Sequence, residues 1–362
     1  MTVTSLIFCF SIAFFVSLAS TPLVKTLAHK IGAIDIPDGK RRVHKSPIPR
    51  LGGLAIFLGF MCAVFAFVKI DTQVRGILIG AVLIVAIGIL DDVKQLKATV
   101  KLAVQIIAAI IVVSHDVKIV ALTVPSFIID SGFLPLKWLS FPITILWIVA
   151  VTNAVNLIDG LDGLAVGISS IATFSLFFIA ILAGEPTVAL LAAALAGGCL
   201  GFLPYNFNPA KIFMGDTGST FLGFILSTIC IQGLFKGYAI ISFIIPFLIL
   251  GLPLFDTSVA ILRRIHNKKP IMGADRGHLH HKLIDMGFSQ KQTVAILYVI
   301  AMLLGLSAVV LVERGAQTAF LLVSVVLLML IFGGRVITWQ TDHIRHITET
   351  ENDEKSEENT ND

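Results

Sequence analysis

Residues 74–114 read VRGILIGAVLIVAIGILDDVKQLKATVKLAVQIIAAIIVVS, an apolar run, an acid pair with three lysines, then a second apolar run. A hydrocarbon core about 30 Å thick is crossed by about 20 apolar residues in a helix, with a range of roughly 17–25. The runs 74–90 and 99–114 lie at the short end of that range, so the hinge between them puts Asp91 and Asp92 at one membrane surface. The alternation continues outward from this hairpin. Further apolar segments run over about 4–24, 51–69, 139–156, 164–183, 187–204, 217–235, 238–262, 293–312 and 316–339. With the first two they predict about 11 transmembrane helices in an all-α polytopic membrane protein.

Composition leads to the same place. Of 362 residues, 56% are hydrophobic and 14% charged, with a mean hydropathy of +0.92; a soluble domain carries about 25% charged residues. Eight of the 23 acidic residues fall within 342–362, so residues 1–340 read as one integral membrane domain and 341–362 as an acidic, disordered cytoplasmic tail. Cys9, Cys62, Cys199 and Cys230 stand singly in apolar runs and read as small hydrophobes, not as a disulfide framework or a zinc site. The net charge of +4 does not point to nucleic acid, because the basic residues flank apolar segments and orientation accounts for them. With the N-terminus outside and the C-terminus cytoplasmic, 21 Lys and Arg fall inside and six outside (Lys69, Arg75, Lys118, Lys137, Lys236 and Arg314). That orientation also gathers every chemically capable cluster on the cytoplasmic face of the lipid bilayer, which predicts one active site there.

Each cluster has a plain reading beside a functional one. Asp91 and Asp92 read either as a solvated helix end followed by Lys94 and Lys97 or, because acids there oppose the macrodipole, as a pair favoured by a divalent cation or a proton-transfer role. In VTNAVNLIDGLDGLAVG (151–167), Asp159 and Asp162 share a helical face, with Asn153 and Asn156 nearby and Gly160 and Leu161 between them. An Asx-rich turn explains one Asp and the glycines, but not two acids and two amides between apolar stretches. In YNFNPAKIFMGDTGSTFLGF (205–224), Asp216 opens a helix. A simple N-cap is compatible with a phosphate or metal site at the same terminus, with Asn206, Lys211 and Phe213 close in sequence. His278, His280 and His281 lie beside Asp275, Arg276 and Lys282, a grouping suited to phosphate contact or proton transfer; the spacing is not that of a helical zinc pair. Lys45 and Arg50, ahead of Gly52 and Gly53, set topology or bind a phosphorylated ligand with equal force. Together the clusters offer carboxylates for Mg²⁺ and cations for phosphate oxygens, which implies phosphoryl transfer between a soluble donor and a lipid acceptor.

Taken in order, DDVKQ (91–95), NAVNLIDGLDGLA (153–165), NPAKIFMGDTGS (208–219) and DRGHLHHKL (275–283) resemble the polyprenyl-phosphate N-acetylhexosamine-1-phosphate transferase superfamily (glycosyltransferase family 4). The resemblance spans about residues 20–340. Its HLHH form is similar to the bacterial undecaprenyl-phosphate GlcNAc-1-phosphate transferases; the muramoyl-pentapeptide branch has three consecutive histidines, which this chain lacks. The resemblance implies transfer of GlcNAc-1-phosphate from UDP-GlcNAc to undecaprenyl phosphate with release of UMP, dependent on Mg²⁺ or Mn²⁺, as the first membrane step of a cell-envelope glycopolymer. It implies that Asp91 is the base for the lipid phosphate, with Asp92 beside it for metal or phosphate, that Asp216 binds the metal, and that Asn206 is the nearby amide. It places Lys45 near the nucleotide, makes Asp159, Gly160, Leu161, Asp162 and Phe213 the uridine pocket, and brings His278, His280 and His281 to the diphosphate or sugar. Arg50, Asn153, Asn156 and Arg276 complete the expected substrate contacts. Three other readings remain: another UDP-N-acetylhexosamine donor, an aspartate-rich intramembrane prenyltransferase, and a secondary transporter with its acids near the bilayer midplane.

Overall fold

The computed structural model describes residues 2–36, 47–123, 133–234, 244–268 and 277–314, with 318 and 324. Lys45, Arg276, the apolar segment 316–339 and the 341–362 tail lie outside the described residues, apart from positions 318 and 324.

Apolar runs become helices because a helix satisfies its own backbone, the condition for crossing lipid. Helix α1 spans Val3–Ile31, α2 Gly53–Phe67, α3 Thr72–Lys94 and α4 Ala98–Ser114. They are followed by α5 (Ser140–Leu157), α6 (Leu164–Leu182), α7 (Pro186–Asn206) and α8 (Gly215–Leu234). After these come α9 (Ile244–Ile249), α10 (Gly251–His266), α11 (Leu279–Asp285) and α12 (Gln290–Arg314). Among the described residues, six helical stretches are long and apolar enough to cross a membrane, and α2 and α4 are shorter apolar helices. The outer surface is apolar where a soluble protein would be wetted. Leu23 is 72% and Phe15 63% exposed on α1, which is how a helix facing lipid looks.

The expected helix over 238–262 is not continuous. The described part breaks at Leu250 into α9 and α10. Pro253 supplies the reason: it cannot donate a backbone hydrogen bond inside a helix and is accepted in a first turn, so α10 restarts two residues ahead of it.

Helix α8 is the centre of the packing. It lies against α2, α3, α5 and α6, while α1 packs on α2 and α7, and α12 on α6. Phe221 and Phe224 are fully buried along α8, with Phe221 edge-on to Phe57 and Phe60 of α2. Close approach at its N-terminal end depends on a missing side chain: a Cβ on Gly88 of α3 would sit 2.5 Å from the Cα of Thr217. One turn beyond Gly88, the last turn of α3 carries Asp91 and Asp92. Packing therefore carries the acid pair to the start of α8.

Two short strands tie the loops to this point. Ile34–Asp35 (β1) pairs antiparallel with Ile48–Pro49 (β2), and the chain continues from β2 into a bridge between Arg50 and Phe213. Phe213 donates to the Pro49 carbonyl, and Gly52 and Gly53 donate to the carbonyls of Phe213 and Met214. Ala121–Thr123 (β3) and Phe133–Pro135 (β4) form a separate antiparallel pair.

Candidate active site

The junction of α3 and α8 explains why two acids end a helix. The Asp92 carboxylate accepts from the backbone N–H of Asp216 (2.9 Å), from that of Thr217 (3.0 Å) and from the Thr217 hydroxyl (2.6 Å). It thus caps the positive end of α8, which offsets the opposing end of α3. Arg50 completes its shell, with Nε at 3.1 Å and Nη2 at 3.0 Å from Oδ1. The side chain has no exposure, and both oxygens are spent on protein donors. Asp92, expected at metal or phosphate, braces the helix on which Asp216 stands.

Asp91 is stabilised differently. Its Oδ1 accepts the Leu96 N–H at 2.7 Å, and its Oδ2 pairs with Lys101 at 3.1 Å. The same Lys101 ammonium reaches Asp216 Oδ2 at 2.7 Å, while Arg50 lies 3.9 Å from Asp216 Oδ1. Two cations therefore sit among three carboxylates, and Asp216 is the most exposed of the three. Lys101, read from sequence only as a topology charge, proves to be the link between the first and third motifs. Its i, i+10 relation to Asp91 runs across the hairpin and carries no periodic signal.

Beside this junction opens a cavity of about 540 Å³, within the range of small-ligand pockets. Arg50, Asn156, Asp159, Gly160, Leu161, Asp162, Asn206, Phe213, Asp216 and His281 all line it. Residues that share this wall come from parts of the chain more than 200 positions apart. The wall also holds Asp35, Asn208, Ser219 and Gln290, which sequence reasoning did not single out. Asp91, Asp92, Asn153, His278 and His280 do not line it.

Several amides expected at substrate hold the wall instead. Asn206 is buried, accepting from Gly163 N–H (3.1 Å) and donating to the Ile212 carbonyl (3.1 Å). Gly163 has φ +77°, a backbone that suits glycine, and this lets the 158–163 turn fold onto the 207–214 loop. Asp162 Oδ2 accepts from Asn208 (2.9 Å) and from the Ala210 N–H (3.0 Å), and Asn208 also donates to Gln290 (2.8 Å). Asn156 donates to Ser219 at 2.7 Å. Asn153 faces away from the cavity, donating to Gln105 of α4 at 2.7 Å.

The histidines divide in the same way. Nδ1 of His278 lies 2.9 Å from Asp256 of α10, His280 is buried with neither ring nitrogen partnered among the described residues, and His281 reaches the cavity. Burial, then the neighbouring His281 and His278, push His280 down to about 4. Asp256 lay inside an apolar run, and an acid within such a run was its available signal.

Charge describes what the cavity can take. Among the described residues, Asp35, Asp159, Asp162 and Asp216 face it together with the guanidinium of Arg50. Burial first, and then the charges of Asp216 and Asp92, push Asp159 up to about 8. Crowded hard oxygen donors suit a divalent cation such as Mg²⁺, which uses one or two carboxylates and takes its remaining ligands from water and phosphate. The residues present fit that ion. Among the described residues no group of three His, Cys, Asp or Glu side chains is placed to hold a metal ion.

Residues 74–234, which hold α3 to α8, match the family model described as Glycosyl transferase family 4. A probable undecaprenyl-phosphate N-acetylglucosaminyl 1-phosphate transferase of Bacillus subtilis is 44% identical over 326 residues, covering 89% of each chain. The chain belongs to glycosyl transferase family 4. A decaprenyl-phosphate N-acetylglucosaminephosphotransferase of Mycobacterium tuberculosis is 34% identical over 312 residues, 77% of this chain and 76% of the relative. A phospho-N-acetylmuramoyl-pentapeptide-transferase of Caldicellulosiruptor bescii is 30% identical over 328 residues, 86% and 98% of the two chains. This family 4 member is accordingly a multi-pass membrane transferase of the GlcNAc-1-phosphate type.

Proposed function

We propose that this family 4 protein transfers GlcNAc-1-phosphate from UDP-GlcNAc to undecaprenyl phosphate at the cytoplasmic membrane face, releasing UMP, with Mg²⁺ bound. The observation that carries the reading is the shared cavity: Arg50, the Asp159–Asp162 turn, Phe213, Asp216 and His281 converge on one space. Similarity to the Bacillus subtilis relative supports the donor and the lipid.

A phosphate monoester has a second pKa near ~6, so the lipid phosphate is largely dianionic at neutral pH and gives up its last proton easily. The main obstacle is repulsion between two phosphorylated substrates in an acidic cavity. Catalysis is then chiefly positioning and charge neutralisation. Asp216, which lines the cavity, would hold Mg²⁺, and the ion would supply that neutralisation. Arg50 is held by Asp92 with its guanidinium toward the cavity and contributes fixed positive charge. Lys101 is shared between Asp91 and Asp216; when it turns to phosphate, Asp91 is freed to take the remaining proton. Asp159, a carboxyl at the cavity wall, offers a hydrogen-bonding edge that suits a uracil. Phe213 offers a ring to the base.

The test is a purified-protein assay with undecaprenyl phosphate, Mg²⁺ and a panel of UDP-sugars, scored for UMP. UDP-GlcNAc should be turned over in preference to the others. Preference for a different UDP-N-acetylhexosamine would overturn the donor, and no UMP from any sugar would overturn the reaction.

A further inference from the structure

Helix α10 holds the histidine segment by two points on one face. Asp256 and Arg263 are seven residues apart, two turns of helix, and so lie on the same side. Arg263 Nη1 donates to the Gly277 carbonyl at 2.8 Å, and a Cβ at Gly277 would fall within the Arg263 guanidinium. Asp256 uses both oxygens on the next two residues: Oδ2 lies 2.9 Å from His278 Nδ1, and Oδ1 accepts the Leu279 N–H at 2.8 Å. A carboxylate only accepts, so Nδ1 carries the proton and the ring is fixed in one orientation. The Asp256 and His278 side chains are both nearly inaccessible.

From His278 the order passes inward. Its ring stacks with that of His280 at 5.8 Å and 9°, and the His280 ring lies 4.3 Å from that of His281. His280 packs so closely on Gly160 that no side chain fits there, and His281 emerges in the cavity. We propose that Asp256 is a positioning residue which, through His278, seats His280 under Gly160 and holds His281 at the cavity wall. It touches no substrate itself. The inference rests on the phosphotransferase reading for its kinetic consequence but not for its structural one.

The experiment compares wild type, Asp256→Asn, His278→Asn and the double variant in the same membrane preparation. Removing a partner that orients a functional imidazole typically costs about 10- to 100-fold. Asp256→Asn should therefore lower kcat by that factor while the KM for the lipid phosphate stays near wild type. Because the proposed route runs through His278, adding Asp256→Asn to His278→Asn should cost little more. Independently of turnover, hydrogen exchange across residues 277–285 should quicken in Asp256→Asn and not in segments remote from α10. Wild-type kcat in a folded Asp256→Asn protein, multiplied losses in the double variant, or unchanged exchange over 277–285 would each overturn the proposal. If wild type releases no UMP, the functional reading fails, and the exchange result still decides the role of Asp256.

Discussion

Two neighbouring aspartates at the end of α3 do different work, and substitutions should separate them. Asp92 has both oxygens on protein donors at the first turn of α8, so Asp92→Asn should destabilise the folded protein by about 1–3 kcal/mol, read as a lowered midpoint of thermal unfolding in detergent. Asp216 faces the cavity, and its partner Lys101 keeps Asp91 when Asp216 is neutralised. Asp216→Asn should therefore leave the unfolding midpoint near wild type while UMP release falls by about 10²-fold or more. His280 adds a pH signature. It stays neutral in the fold down to about 4, whereas an unfolded histidine takes its proton near ~6.5. Between those values the unfolded chain binds more protons, so the contribution is intact above pH ~6.5 and is lost as pH falls toward 4. The unfolding midpoint of His280→Gln should drop less over that interval than that of wild type; equal slopes would show that His280 is not the group responsible.

At the level of elements, the site depends on how closely α3 and α8 approach. Gly88→Ala would place a methyl 2.5 Å from the Thr217 Cα, where backbone and not a flexible side-chain tip must yield. Overpacking of this kind costs about 1–3 kcal/mol and moves the acid pair away from α8, so both the unfolding midpoint and UMP release should fall; unaffected activity would mean that the junction tolerates a wider gap. Helix positions were legible because apolar runs of fixed length announce themselves, and α3 to α8 formed within a few residues of their expected bounds. The break at Leu250 was less visible, since hydropathy averages over a proline that only matters when it falls inside a helix. Side-chain roles were the least legible part. Asn153 and His278 have residue types suited to substrate, yet their amide and ring are spent on Gln105 and Asp256. A motif marks which residues gather, while only packing shows which of them face the space left between.

For the molecule as a whole, segments distant in sequence meet at one membrane surface because the polar ends of apolar helices have nowhere else to go. The Lys and Arg distribution predicts that this surface is cytoplasmic. Lys211 is exposed in the loop ahead of α8, so a cysteine there should react with a membrane-impermeant maleimide only when the cytoplasmic side is opened. Labelling of intact cells would reverse the orientation. The central claim is that the cavity beside Asp216 is where the sugar phosphate changes hands. The most direct measurement is UMP release from UDP-GlcNAc and undecaprenyl phosphate by the purified wild type and its Asp216→Asn variant, with Mg²⁺ and after chelation. The account predicts rapid release from wild type, lost on chelation and lost in the folded variant; release that persists undiminished in Asp216→Asn would contradict it.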